Sequence, residues 1–313
     1  MNKPQIVLND PWLEPFSKQI TKRLQNARKK EKELLADFGS LAEFATGYMY
    51  FGLHKTSEGW VFREWAPNAT EIWMIGDFSE WKQLSAYKLH PSGNGNWELT
   101  LPPDALVHEQ KYRLLIKWEN GEGERIPAWT RRVIQNPETH AFDAQVWAPE
   151  KTYEWRFPEF RRNKEELLVY EAHVGMATEE YRVGTFNEFT EQVLPRIKKA
   201  GYNTIQLMAV MEHPYYGSFG YHVSSFFAVS SRFGTPEDLK RLVDEAHTMG
   251  ISIIMDLVHS HAVKNELEGL NKFDGTPYQY FHSGERRNHP AWDSLCFNYG
   301  KNEVIHFLLS NCK

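Results

Sequence analysis

Past residue 165 the apolar positions fall into three short, nearly unbroken runs: LLVYEAHV (167–174), NTIQLMAV (203–210) and ISIIMDLV (251–258). Runs of this length without polar alternation predict strands buried on both faces. Between the first two, Thr185-Phe-Asn-Glu188 reads as a capping box opening a helix through Phe189, Val193 and Ile197, with a kink or restart at Pro195 and a stop at Gly201. Between the second and third, Thr235-Pro236-Glu237-Asp238 predicts a helix start, and Leu239, Leu242, Val243 and Ala246 supply its apolar stripe up to Gly250. The order β-α-β-α-β predicts parallel strands joined by right-handed crossovers. A further helical stripe, Val304, Ile305, Leu308 and Leu309, follows in EVIHFLLSNC. Three parallel strands make a small sheet, so the expectation is about three units of a (β/α)8 (TIM) barrel, incomplete and cut within the third helix.

Upstream the period differs. From about 46 to 150 the apolar positions alternate: Trp97, Leu99 and Leu101 share one face, and Tyr112, Leu114, Ile116 and Trp118 another, with turns at PSGNGN and ENGEGE. This predicts a β-sandwich. Over 12–45, Leu13, Phe16, Ile20, Leu24 and Ala27 recur at helical spacing, then Leu34, Leu35 and Phe38, with a stop at Gly39. The fold expected is therefore multidomain: an N-terminal helical segment (1–45), a β-sandwich (46–150) and a partial barrel (151–313).

Composition narrows the function classes. The net charge of −5 over 313 residues includes no basic block of the kind that binds nucleic acid, since RKKEK (28–32) is interrupted by Glu31. Two cysteines, Cys296 and Cys312, suit a reducing, cytoplasmic setting better than a disulfide framework. The polar start MNKPQIVLNDPW is unlike a signal peptide, and no apolar run approaches the ~20 residues of a membrane span. Nine of the eleven tryptophans lie between Trp60 and Trp155. An indole is a flat platform for the CH face of a sugar and equally good core filler.

Chemistry concentrates where the barrel strands end, which is the functional rim of such folds. The first exit offers Glu171 and His173. The second offers Glu212 and His213, then Tyr215, Tyr216 and Tyr221. The third offers Asp256, His259 and His261. Alternate residues of an extended chain point the same way, so His259-Ser260-His261 admits a metal-dependent barrel hydrolase as one class.

Longer stretches carry a family likeness. GYNTIQLMAVMEHPYYGSFGYHVSSFFAVSSRFGTPEDLKRLVDEAHTMGISIIMDLVHSHAVKN, VYEAHVGM, FDGTPYQYFHSG and FNYGKNEV resemble the 1,4-α-glucan (glycogen or starch) branching enzymes of the α-amylase superfamily. GWVFREWAPNATEIWMIGDFSEW resembles the glycogen-binding sandwich that precedes their barrel, and DPWLEPF their N-terminal helical segment. The resemblance implies a hexosyltransferase that cleaves α-1,4 and forms α-1,6 linkages by a retaining mechanism. It implies an α-glucan partner, no cofactor, no membrane or nucleic-acid partner, and a monomer for the complete protein. It makes Asp256 a supporting carboxylate of the site, His261 a hydrogen-bonding partner of the sugar, and Tyr221 its stacking partner. Ser260 stands where many amylases carry a calcium-linked Asn, so no metal is expected. Glu212 and His213 are candidates for substrate binding at the rim, and Trp65, Pro67 and Trp97 for glucan contact in the sandwich. The nucleophile and acid/base belong after strands four and five, and no GFRFD-like stretch occurs here, so these residues alone are expected to be inactive and poorly soluble. A non-catalytic glucan-binding protein is the competing class.

Overall fold

The computed structural model describes residues 3–162 and 166–313. They divide into two compact units, one made of residues 1–48 with 299–313 and the other of residues 49–298.

The first unit is helical. Gln5–Asn9 and a 3₁₀ turn at Pro11–Phe16 lead into the long helix Ser17–Leu34, followed by Leu41–Phe44 and, from the far end of the chain, Asn302–Cys312. The long helix ends at Leu34, five residues before Gly39, with Leu35 as its C-cap, because the chain turns there to bring Phe38 edge-on to Phe44 (ring centroids 5.4 Å apart). Gly39 instead donates its N–H to Glu43 Oε2 at 2.8 Å. Phe44 meets His306 at 5.1 Å, Gly47 N donates to Ser310 Oγ at 2.9 Å, and Lys30 Nζ donates to Asn302 Oδ1 at 2.6 Å. Of the stripe read in EVIHFLLSNC, Val304 and Leu308 are buried in a unit that holds the N-terminal helices, with Phe307 taking the buried place that Ile305 and Leu309 do not.

The second unit begins with the sandwich. Its strands are β1 (Gly52–Lys55), β2 (Trp60–Trp65), β3 (Glu71–Gly76), β4 (His90–Gly93), β5 (Asn96–Leu101), β6 (Lys111–Trp118), β7 (Gly121–Arg125), β8 (Val133–Gln135) and β9 (Phe142–Gln145). One sheet runs β1-β2-β5-β4. The other runs β3-β6-β9-β8, with β7 also paired to β6. Phe62, Ile72, Met74, Leu114 and Ile116 are fully buried on the inward faces, as alternation requires. Asn94 and Gly95 turn the β4-β5 hairpin with φ of 53° and 76°, both left-handed, the conformation that asparagine and glycine tolerate best. ENGEGE is mostly strand, not turn: Trp118 faces Gly121, so only Glu119 and Asn120 make the bend.

Three parallel strands follow, β10 (Val169–Ala172), β11 (Thr204–Leu207) and, further along, β14 (Ser252–Met255), adjacent in sequence order. Each pairs in register: Glu171 opposite Gln206, Gln206 opposite Ile254. Thr185 and Glu188 form the expected capping box, and after a π-helical turn the helix restarts at Leu194–Lys199 with Pro195 in its first turn, where a missing N–H costs nothing. Thr235 caps the helix Pro236–Thr248 in the same manner, with Asp238 closing the box. Ile205, Leu207 and Ile251 pack beneath these helices with Phe186, Phe189, Leu242 and Ala246. The expectation of strands covered on both faces is corrected here. Glu171 and Ile254 are exposed on the face away from the core of Phe186 and Leu242, while Thr204 and Ser252 of that face are buried, and β10 is exposed along both faces.

Two small hairpins rise from the strand exits. β12 (Met211–Glu212) pairs with β13 (Ser225–Val229), and β15 (His261–Ala262) pairs with β16 (Leu295–Cys296). The sandwich is tied to this region. Gln279 Nε2 donates to the Trp65 carbonyl at 2.6 Å, Ile126 N to Leu267 O at 2.9 Å, Arg132 Nη1 to Gly234 O at 2.6 Å, and Trp129 stacks on Phe227 at 4.7 Å.

Candidate active site

The in-register strands put Glu171 and Gln206 side by side on the exposed face, and Asp256, two residues beyond Ile254, continues that face past the end of β14. Gln206 Nε2 donates to Asp256 Oδ1 at 2.9 Å and lies 3.5 Å from Glu171 Oε1. The other oxygen, Oδ2, accepts from the Tyr221 hydroxyl at 2.6 Å. Tyr221 arrives from the long β12-β13 loop, which turns sharply through Phe219 and Gly220 at φ of 54° and 88°. Burial first, and the Asp256 carboxylate second, push the Tyr221 phenol up to about 12, so it stays a donor at neutral pH.

His261, the first residue of β15, lies under the same loop. A carbonyl can only accept, so the 3.0 Å contact between Nε2 and the Tyr221 carbonyl places the proton on Nε2. In the neutral ring Nδ1 then accepts from the Ser260 hydroxyl at 2.8 Å. Burial holds the imidazole below its ordinary pKa, which favours this neutral form. Asp256, Tyr221 and His261 are therefore joined in one hydrogen-bonded chain. Both nitrogens of His261 are engaged by the protein, and among the described residues no three His, Cys, Asp or Glu side chains form a group able to hold a metal ion.

Other expected site residues are placed elsewhere. Glu212 is fully buried and faces away from solvent. Its Oε2 accepts from Ser231 N at 2.7 Å, and its Oε1 accepts from Ser230 Oγ at 2.9 Å and His213 N at 3.1 Å, with Arg232 Nη1 3.5 Å away. Burial raises its pKa. His213 is also fully buried, with Nδ1 donating to the Met211 carbonyl at 2.8 Å. Its Nε2 has no hydrogen-bond partner among the described residues, and burial pushes the ring down to about 4. In this arrangement both residues hold the loop that carries Tyr221, a correction to their reading as rim groups open to substrate. Trp65 and Trp97 are corrected on the same ground. Trp65 packs edge-on against Tyr280 at 5.4 Å, and Trp97 Nε1 donates to the Ala66 carbonyl at 3.0 Å. Trp97 is buried because alternation turns it into the sandwich with Leu99 and Leu101, whereas Trp65, of the opposite parity, is buried under Tyr280 and Gln279. Pro67 is exposed, beside the Gly95 hairpin tip. His173 is buried, its Nδ1 accepting from Met176 N at 3.2 Å.

Three residues were missed. Gln206 shares strand parity with Glu171 and Asp256, and that parity was the available signal. Trp81, in GDFSEW, holds a left-handed φ of 60° and is 39% exposed, with its indole N–H donated to Asp77 Oδ1 at 3.2 Å. It lies five residues past the end of β3, after the 3₁₀ turn Asp77–Ser79, and so outside the alternation that marks core positions. Trp292 lies in the β15-β16 loop and is 52% exposed.

The fold and the site define a class: a carbohydrate-binding sandwich followed by an α-amylase-type barrel region. Residues 50–130 match the family of carbohydrate-binding module 48 (isoamylase N-terminal domain), and residues 153–297 match the α-amylase catalytic domain. A solved structure titled as a putative alpha amylase from Salmonella typhimurium has the same fold, with a TM-score of 0.67 at 22% identity over 83% of this chain and 40% of that one. Within that class, the chain is similar to 1,4-α-glucan-branching enzymes. It is 46% identical to the 1,4-alpha-glucan-branching enzyme of Dictyostelium discoideum and 47% identical to that of Yarrowia lipolytica, in each case over 99% of this chain and 46% of the relative. It thus spans about half the length of the curated relatives it matches.

Proposed function

We propose that these 313 residues hold the glucan-binding sandwich and one wall of the donor site of a branching enzyme. The protein would break an α-1,4 bond in a linear glucan, retain the cut chain as an ester on a carboxylate, and pass it to a 6-hydroxyl. The observation that carries this reading is the hydrogen-bonded chain Gln206–Asp256–Tyr221–His261 on the strand exits.

Within it, Asp256 is the supporting carboxylate and Tyr221 offers its ring to the sugar bound in the cleavage position. A planar aromatic face suits an oxocarbenium-like ring. His261 sets the Tyr221 loop. A hydrogen bond from His261 to a sugar hydroxyl would replace one of its two present partners. In the sandwich, exposed Trp81 and Pro67 are the candidate contacts. Retaining chemistry needs a second and third carboxylate group, with two of them about 5–5.5 Å apart. Glu212 is enclosed and Glu171 is bridged through Gln206 to Asp256, so neither takes the nucleophile's part. Both cysteines are free thiols, which supports a reducing, cytoplasmic setting. No helix among the described residues is long and apolar enough to cross a membrane.

The test is direct. The 313-residue polypeptide is titrated with maltoheptaose by calorimetry and incubated with amylose, and α-1,6 anomeric protons are then sought by NMR. Saturable binding without new α-1,6 signals is expected. Absence of binding, or equal binding of a β-1,4-linked oligosaccharide, overturns the glucan reading. Appearance of α-1,6 signals overturns the assignment of the reacting carboxylates to other segments.

A further inference from the structure

The β15-β16 loop presents an indole for which folding gives no reason. Trp292 is 52% exposed, although an indole left in water forgoes one of the largest burial gains available to any side chain. It is nevertheless held in place. His289 lies flat against it, ring centroids 4.4 Å apart and planes within 4°. The N–H groups of Ala291 and Trp292 both donate to His289 Nδ1, at 3.2 and 3.0 Å. His289 N donates to the Ser294 carbonyl at 3.0 Å, and Ser294 Oγ donates to the Trp292 carbonyl at 2.6 Å. Next to it in sequence, Asp293 is paired with Lys264, the residue three places beyond His261.

This stack stands beside the site. The Trp292 ring is 5.1 Å from that of His261 and the His289 ring 5.7 Å from it, while His261 is bonded to the backbone of Tyr221, whose hydroxyl holds Asp256. Because His289 Nδ1 accepts two backbone donors, the neutral ring carries its proton on Nε2, a donor at the outer edge of the stack. One indole face is taken by His289.

We propose that Trp292, backed by His289, is a shelf on which a glucosyl residue of the α-1,4-linked chain stacks, beside the residue bound at Tyr221. The inference rests on the glucan reading above and adds the residues that grip the neighbouring sugar. The CH-rich face of the pyranose covers the open indole face, and the His289 Nε2–H is available to a ring hydroxyl. A shelf fixed by backbone hydrogen bonds loses little entropy on binding.

The experiment uses the whole chain labelled with 5-fluorotryptophan. Trp292→Phe identifies the Trp292 resonance in the ¹⁹F spectrum, and maltoheptaose is then titrated. A saturable shift of that resonance is expected, with affinity reduced roughly 2- to 10-fold in Trp292→Ala and largely retained in Trp292→Phe. The melting temperature should be nearly unchanged in Trp292→Phe, which keeps a ring against His289, so a loss of affinity in Trp292→Ala is compared at a temperature well below the melting points of all three chains. If other tryptophan resonances move and that of Trp292 does not, the shelf is refuted while glucan binding stands. If none moves, the glucan reading falls and the shelf falls with it.

Discussion

Replacing Glu212 by alanine tests whether that carboxylate binds substrate or holds a loop. The side chain is fully buried and accepts from Ser231 N, Ser230 Oγ and His213 N within 3.1 Å, with Arg232 at 3.5 Å. Alanine leaves these donors facing a cavity. An orphaned buried donor costs roughly 1–3 kcal/mol, and removing one partner of a buried charged pair roughly 3–5. Arg232 keeps its bonds to the carbonyls of His213 (2.6 Å) and Pro214 (2.9 Å), which limits the loss. The expected total is about 3–5 kcal/mol. At about 2–4 °C per kcal/mol for a unit of this size, the melting temperature should fall by roughly 6–20 °C. Glu212→Gln keeps the volume and one acceptor, and should lose about half as much. Differential scanning calorimetry at neutral pH measures both, and maltoheptaose titration well below the melting temperature measures binding. A fall of under about 2 °C, accompanied by a tenfold loss of affinity, would refute the reasoning and return Glu212 to the substrate.

Two other perturbations separate local causes. His213 titrates near 4 in the folded protein against an ordinary 6.5, so the unfolded chain binds the proton more readily. Its contribution is complete above about pH 6.5 and is lost as pH falls toward 4, amounting to about 3 kcal/mol. Urea midpoints compared at pH 7 and 4.5 should therefore fall more steeply for the native chain than for His213→Gln. Gly220→Ala places a Cβ at a φ of +88° and against the Ala209 carbonyl, whereas Gly201→Ala, at a φ of +89°, meets nothing within 4 Å. The second should cost about 1 kcal/mol and the first at least about 3, with equal melting temperatures contradicting the steric account.

What could be read along the chain was set by local chemistry. Alternation marked the sandwich because inward and outward positions differ in a strand. The capping boxes at Thr185 and Thr235 marked two helices because orphan N–H groups need acceptors within three residues. Asp256, Tyr221 and His261 were legible through motifs long enough to carry a family likeness. Tertiary structure decided which polar residues meet. Glu212 and His213 stand beside the site in sequence and yet turn inward, since the β12-β13 hairpin folds their side chains beneath Arg232 and Phe233. Trp65 and Trp97 could be platforms or core by composition; the inner face of the sandwich buried Trp97, and the distant segment of Gln279 and Tyr280 buried Trp65. Gln206 and Trp292 meet the site from 50 and 36 positions either side of Asp256, through strand register and loop closure. No local pattern encodes that proximity, because it is fixed by contacts between segments that do not exist until the chain has folded.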